Sequence, residues 1–315
     1  MLLSIDQCGQ VPAAGAKARR LAAARQLGLQ VPAGLVLLPD EPLPSAAELA
    51  AALEQLAADA ALVAPPAASS FLSEGVQLQS PFAGGLPGTG APAASELRFA
   101  VRSSAAIEDL AGRSAAGLFT SSTEVARGDV LAAITAVRAS GDSAAVRSYC
   151  GGPVAVAVLI QPMVPAARLG VLYLRPDGSA VCEERPVGTS EWSDVTPRLL
   201  SAGAGLDTPA PTVSSPAPDP VPTADPDAAL ARGARRLGAL LRTEDPQTAA
   251  AFIEYATTSG GQVWFLQVRP APLPPDPTPW TQPPDAEALT YVLDRDHNPD
   301  PLSAAQTGIV DGVAD

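Results

Sequence analysis

The stretch Val101-Arg-Ser-Ser-Ala-Ala-Ile-Glu-Asp109 constrains this chain more than any other. An apolar run, Leu97-Arg-Phe-Ala-Val101, reads as a short buried strand, and Arg102 stands at its end. Two small hydroxyl residues follow, then two carboxylates, then the glycine-containing Ser114-Ala-Ala-Gly117. A guanidinium is always charged and offers a planar fork of donors that suits phosphate oxygens. Where a strand opens into a Ser- and Gly-containing loop, Arg102 is a candidate clamp for a polyphosphate. The other reading is a surface arginine paired with Glu108 or Asp109.

Composition narrows what can surround that strand. The 315 residues suffice for one large or two modest domains. Apolar residues make up 47% and aromatic residues 4%, so the core is built from Ala, Val and Leu with few large anchors. Charged residues are only 17%, too few for a chain disordered throughout. A net charge of −13 argues against non-specific binding to nucleic acid or an anionic membrane, because both need a basic surface. Cys8, Cys150 and Cys182 are odd in number and widely spaced, which fits no disulfide framework. With His297 the only histidine, no Cys/His zinc cluster is available. The N-terminus lacks the pattern of a signal peptide, and no long uncharged apolar run marks a transmembrane helix. The expectation is a cytoplasmic protein.

Helices and strands alternate in the expected elements. Residues 14–28 read as a helix with Gly28 as its C-terminal cap, and residues 34–38 as a strand. Residues 45–63 read as a helix opened by a Ser45/Glu48 capping box. Residues 64–95 are rich in Pro, Gly, Ser and Ala and read as a long loop. One helix is expected over 129–147 and a strongly apolar strand over 154–160, paired with 170–174 and extended by 180–184. Residues 207–226 form a Pro-rich excursion, followed by a helix over 227–241. Two β-prone runs, 252–256 and 263–268, are joined by Thr-Thr-Ser-Gly-Gly-Gln and read as a hairpin. No internal repeat is evident.

That hairpin carries a second candidate site. With Glu254 and Gln267 on one face, it presents a carboxylate and an amide to one Mg²⁺, a hard ion that prefers oxygen. Arg269, two residues past Gln267, shares its face. An exposed polar face of an ordinary hairpin is the alternative.

The 101–109 stretch with Ser114-Ala-Ala-Gly117 resembles the Val-Arg-Ser-Ser-Ala-x-x-Glu-Asp … Ser-x-x-Gly signature of the ATP-binding domain of phosphoenolpyruvate synthase and pyruvate phosphate dikinase. Other segments are similar to that domain in the same order. Gly15-Ala-Lys17 with Val31-Pro-Ala-Gly34 resembles its opening, and Val158-Leu-Ile-Gln-Pro-Met-Val164 with Gly170-Val-Leu-Tyr173 resembles an internal strand pair. Ile253-Glu-Tyr-Ala256 with Phe265-Leu-Gln-Val-Arg-Pro270 resembles its close. The resemblance implies an α+β, ATP-grasp-like fold, with two lobes enclosing a nucleotide cleft. On this reading residues 1–150 form an N-terminal α/β lobe, 151–272 a second lobe carrying the 207–226 excursion, and 273–315 a Pro-rich tail.

By the same resemblance, Lys17 and Arg102 contact ATP phosphates and act in catalysis. Glu254 and Gln267 bind Mg²⁺, and Arg269 supports the phosphate end. Gln161 and Met163 line the adenine pocket, though Met163 equally suits core packing. Glu191, in Gly188-Thr-Ser-Glu191, contacts the nucleotide or is an ordinary loop carboxylate. Lys17 is alternatively a solvated lysine at a helix start.

The chain also departs from the family pattern. Phe252 stands where the family has an aspartate, two residues before the hairpin glutamate, which removes one carboxylate from the metal site. Gly-Gly-Lys becomes Gly-Ala-Lys, and a family glycine-rich stretch is replaced by Trp192-Ser-Asp-Val-Thr-Pro197. His297, between Asp296 and Asn298, does not resemble the family's phospho-histidine motif and reads as a surface residue. Three functions remain. The first is the Mg·ATP-binding half of a phosphotransferase, whose histidine sits on a separate partner. The second is a degenerate ATP-grasp module that binds nucleotide or serves as a scaffold. The third, for which no acceptor-site signature is evident, is a self-contained kinase or ligase.

Overall fold

The computed structural model describes residues 1–63, 97–105, 118–188, 197–200 and 225–271. The chain divides into two compact units. The first comprises Met1–Ala22, Pro32–Glu108 and Ala115–Val164; the second comprises Ala23–Val31, Asp109–Ser114 and Pro165–Asp315. Among the described residues each unit is built on a five-stranded antiparallel sheet with helices, so the architecture is α+β, as expected.

The first sheet runs β1 (Leu2–Ser4), β2 (Leu35–Leu37), β5 (Ala157–Pro162), β3 (Phe99–Ser104) and β4 (Ser121–Val125). β5 is buried along its whole length, as suits a central strand of Val, Leu and Ile. Strand alternation sorts its neighbours into two faces. Leu37, Phe99, Val101, Val158 and Ile160 join one apolar cluster with Leu49, Leu53 and Leu56 of α2 (Ala46–Val63) and Val130, Ile134 and Val137 of α3 (Val130–Ser140). The opposite face carries Ala100, Arg102 and Ser104 of β3, which pair in register with Gln161, Leu159 and Ala157 of β5.

The second sheet runs β10 (Val263–Ala271), β9 (Ala250–Thr258), β6 (Ala166–Leu174), β7 (Ala180–Pro186) and β8 (Arg198–Leu200). The long helix α5 (Pro226–Glu244) packs on one face through buried Leu230, Ala234, Leu237 and Leu241. Its Gly233 sits against the Phe265 ring and its Gly238 against Leu174, approaches that a side chain would block. Asp225 caps the helix by accepting from the Asp227 and Ala228 N–H groups. A polar network closes the open end of this sheet: Glu184 pairs with Arg168 and Arg198, and Arg198 also pairs with Asp227 in the first turn of α5.

Several expectations hold. The capping box is formed, with the Ser45 N–H donating to Glu48 Oε2 at 2.8 Å and the Glu48 N–H donating to Ser45 Oγ at 3.2 Å. α1 (Gly15–Gln26) ends at a Gly28 with φ of 72°. The β9–β10 hairpin forms, longer than expected at both ends.

Others are corrected. β5 does not pair with β6; it lies between β2 and β3 in the first sheet, while β6 pairs with β7 and β9. Burial on both faces, rather than proximity in sequence, decides the neighbours of so apolar a strand. The helix expected over 129–147 is two helices, α3 and α4 (Ala144–Cys150). The break falls at Gly141, whose backbone lies against Val154 and Val156 where a Cβ would collide, and Ser143 restarts the chain by accepting from the Val146 N–H. β3 continues through Ser104, so Arg102 lies within a strand rather than in the loop after it. The loop at 64–95, the excursion up to residue 224 and the tail beyond 271 lie outside the described residues. Among the described residues no helix is long and apolar enough to cross a membrane.

Candidate functional site

In the first unit, four of the sequence motifs meet on one strand pair. Gly15 opens α1 with φ 77° and ψ 165°, a backbone region that glycine alone adopts without strain. The conformation lays the start of α1 directly against Ser104 of β3. The Ser104 hydroxyl then bridges the junction: it donates to the Ala14 carbonyl at 2.7 Å and accepts from the Ala18 N–H at 3.0 Å. The latter is one of the orphan N–H groups that every helix start must satisfy. One residue earlier, Lys17 Nζ donates to the Ser103 carbonyl at 2.7 Å.

Lys17 is therefore not a solvated lysine at a helix start. It is 7% exposed and held against the arginine strand. Burying an ammonium is costly unless polar partners replace its water, and the Ser103 carbonyl is one such partner. Arg20, one turn further along α1, is also 7% exposed, so α1 presents two buried cations on one face. Arg102 is half-buried and shares the Ser104 face of β3 by alternation.

Gln161 stands across β3–β5 from Ala100, on that same face. It is 3% exposed, and its amide Nε2 donates to the Pro32 carbonyl at 2.9 Å. Gly34, two residues beyond Pro32, leaves room for that side chain: a Cβ there would lie 3.1 Å from Gln161 Cγ. The Val31-Pro-Ala-Gly34 motif is thus fastened to β5 through Gln161. Met163 continues the strand pairing by donating its N–H to the Arg98 carbonyl, and it is half-buried rather than part of the core.

In the second unit, the β9–β10 register brings the hairpin residues together. Glu254 and Gln267 are direct cross-strand partners, and Arg269 is the partner of Phe252. All four are half-buried. A bulge at Leu266 sets this arrangement. Phe265 faces α5, and without an extra residue alternation would put Gln267 and Arg269 on the α5 face as well. With the bulge, Val268 joins the buried side, and Gln267 and Arg269 turn to the face of Glu254. The Arg269 guanidinium lies over the Phe252 ring, 4.5 Å from its centroid. Tyr173 of β6 stands across from Phe252, and burial raises its phenol above the usual range.

Glu254 and Gln267 supply two oxygen donors from adjacent strands. That suits Mg²⁺, which is commonly held by one or two protein oxygens together with substrate phosphates and water. Among the described residues there is no cluster of three His, Cys, Asp or Glu side chains that would make a closed protein cage. The donor set fits a metal shared with a ligand. Glu191 and His297 lie outside the described residues.

Two contributors were not singled out by sequence reasoning. Ser104 carries the junction between α1 and β3, and Arg20 adds a second buried cation. The signal for Arg20 was its position three residues after Lys17 on one helix face. Ser104 stands in the Val101-Arg-Ser-Ser104 motif, but its bridging role had no local signal, because its partners lie some ninety residues away in sequence.

A family model described as pyruvate phosphate dikinase, AMP/ATP-binding domain, matches residues 79–191. That span contains Arg102, Gln161 and Glu191, while Lys17, Glu254, Gln267 and Arg269 fall outside it. A search of curated proteins finds no match. Among solved structures, the macrocyclase MdnC of Microcystis aeruginosa MRC, bound with precursor peptide MdnA, is 11% identical with a TM-score of 0.36, over 84% of this chain and 53% of that one. The D-cycloserine synthetase DcsG is 17% identical with a TM-score of 0.37, over 84% and 65%. The D-alanine–D-alanine ligase of Helicobacter pylori is 12% identical with a TM-score of 0.38, over 83% and 55%. The chain thus spans between about half and two thirds of the length of these proteins. Residues 79–191 are similar to the AMP/ATP-binding domain of pyruvate phosphate dikinase, the family that the sequence motifs resemble.

Proposed function

We propose that this chain is the Mg·ATP-binding component of a phosphotransferase like phosphoenolpyruvate synthase and pyruvate phosphate dikinase. It would pass phosphate from ATP to a histidine carried by a separate domain or protein. The observation that carries this reading is the junction of Gly15-Ala-Lys17 with Val101-Arg-Ser-Ser104. Two motifs far apart in sequence meet there: Lys17 is bonded to the end of β3, the strand that carries Arg102 and that falls within the span of the AMP/ATP-binding family match.

In this reading Lys17 and Arg102 bind phosphate oxygens and neutralise the charge that develops during transfer. Phosphoryl transfer relies mainly on such positioning and charge neutralisation, with little covalent work for the protein. Glu254 and Gln267 hold Mg²⁺, which supplies further positive charge to the phosphates when bound. Arg269 supports the phosphate end, Gln161 contacts the nucleotide base, and Glu191 contacts the nucleotide.

Calorimetric titration of ATP into the full chain, with and without Mg²⁺, tests the binding half. Incubation with ATP labelled in its β- and γ-phosphates and a purified histidine-bearing candidate partner tests the transfer half, where an acid-labile label on the partner is expected. Absence of ATP binding in both conditions contradicts the proposal. A second reading, a module that binds nucleotide without turnover, is favoured by one observation: the ring of Phe252 occupies the place where the family carries a metal-binding carboxylate. It predicts binding with no transfer to any partner.

A further inference from the structure

The row of side chains next to the Glu254–Gln267 pair is Arg269, Phe252 and Tyr173, in register across β10, β9 and β6. Strand geometry sets the two rows roughly 7 Å apart, at about 3.4 Å per residue. Within this row the Arg269 guanidinium lies over the Phe252 ring at 4.5 Å. We propose that Phe252 is a positioning residue for Arg269, holding the guanidinium by its ring face so that the cation serves a ligand phosphate beside Glu254 and Gln267. This rests on the nucleotide-binding reading above.

The chemistry of the pair supports the assignment. A ring face attracts a cation through its quadrupole but carries no net charge and accepts no in-plane N–H bond. A ring so placed limits the rotation of the guanidinium and does not itself neutralise its charge. A carboxylate at the same position would engage the fork in a bidentate pair and neutralise it. The aromatic side chain thus orders Arg269 without competing with an anion. Tyr173, across from Phe252, places a second aromatic side chain in the row, at the spacing where cross-strand pairs interact.

The test is a double-mutant cycle on the full chain. Affinities for ATP and for adenosine are measured by calorimetry at fixed Mg²⁺ and ionic strength. The set is wild type, Phe252→Leu, Phe252→Tyr, Arg269→Ala and the Phe252→Leu/Arg269→Ala double variant. Loss of a cation–ring contact predicts ATP binding about three- to tenfold weaker in Phe252→Leu. Adenosine affinity stays within about twofold of wild type, because the contact serves phosphate, and Phe252→Tyr restores ATP binding. The double variant binds ATP no worse than Arg269→Ala alone, within about twofold. A merely structural role would weaken both ligands and make the two losses multiply, and either result overturns the proposal. So does a Phe252→Tyr variant as weak as Phe252→Leu. Phe252→Met replaces the leucine variant if melting shows the latter unfolded. Wild type that binds no ATP overturns the nucleotide reading and this proposal together. Normal ATP binding with additive variants overturns this proposal alone.

Discussion

Replacing Gly15 with alanine strikes the junction on which the first unit's cations depend. Two costs follow from its geometry. The backbone there has φ 77° and ψ 165°, and a residue with a Cβ pays about 1–3 kcal/mol to adopt it. The added Cβ would also collide with the Ser104 carbonyl and lie 2.6 Å from Ser104 Oγ, a packing conflict of about 1–3 kcal/mol. Ser104 is paired with Ala157 of β5, and its hydroxyl is held by the Ala14 carbonyl and the Ala18 N–H, so neither atom moves cheaply. Alanine's usual helix advantage over glycine does not apply, because Gly15 is not in a helical backbone conformation. The sum is roughly 2–6 kcal/mol. In urea unfolding followed by circular dichroism, with an m-value of about 2–3 kcal/mol/M, the midpoint should fall by roughly 0.7–3 M. Gly128 is the control, since a Cβ there meets nothing within 4 Å, and Gly128→Ala should stay within about 0.5 kcal/mol. A Gly15→Ala protein as stable as wild type would refute the account of the α1–β3 junction.

Two further predictions concern the metal and pH. Glu254→Gln leaves the hairpin register intact but removes the only charge in the Glu254–Gln267 pair. It should abolish most of the gain in ATP affinity that Mg²⁺ brings, and calorimetry with and without Mg²⁺ that shows an undiminished gain would contradict the metal assignment. Burial, with help from nearby Asp6, pushes the Cys8 thiol up from 9.0 to about 11. A raised pKa means that the folded state favours the protonated thiol. Its contribution is therefore full below pH 9 and is lost as pH climbs toward 11. Cys8→Ala should flatten the fall in melting temperature over that window, and an unchanged alkaline slope would count against the burial argument.

The sequence was most legible where local chemistry decides. The Ser45/Glu48 box, the Gly28 cap and the Thr-Thr-Ser-Gly-Gly-Gln hairpin all formed as read, because each rests on residues within a few positions of one another. Strand pairing was less legible. β5 is apolar throughout and carries no face preference of its own, so its partners β2 and β3 depend on what the distant helices α2 and α3 cover. β4, Ser-Ser-Thr-Glu-Val, is largely exposed at a sheet edge and shows no hydrophobic period to read. At the site, the sequence named Lys17, Arg102 and Gln161, and the structure brings their three motifs onto one strand pair. It could not show that Lys17 is buried, since that follows from Gly15 and Ser104 meeting across a long stretch of chain. Nor could it show that Arg269 lies over Phe252, since a bulge at Leu266 decides which face each residue takes.

A nucleotide site that uses Arg102 has a direct thermodynamic signature. A thermal-shift titration with ATP, with and without Mg²⁺, on wild type and Arg102→Ala tests it most directly. At a hundred times the dissociation constant, a ligand stabilises the folded state by about 2.7 kcal/mol. For domains of this size that corresponds to a rise of roughly 5–10 °C, at about 2–4 °C per kcal/mol. Such a rise is expected in wild type, larger with Mg²⁺ and lost in Arg102→Ala. A wild-type melting temperature that ATP leaves unchanged would contradict it.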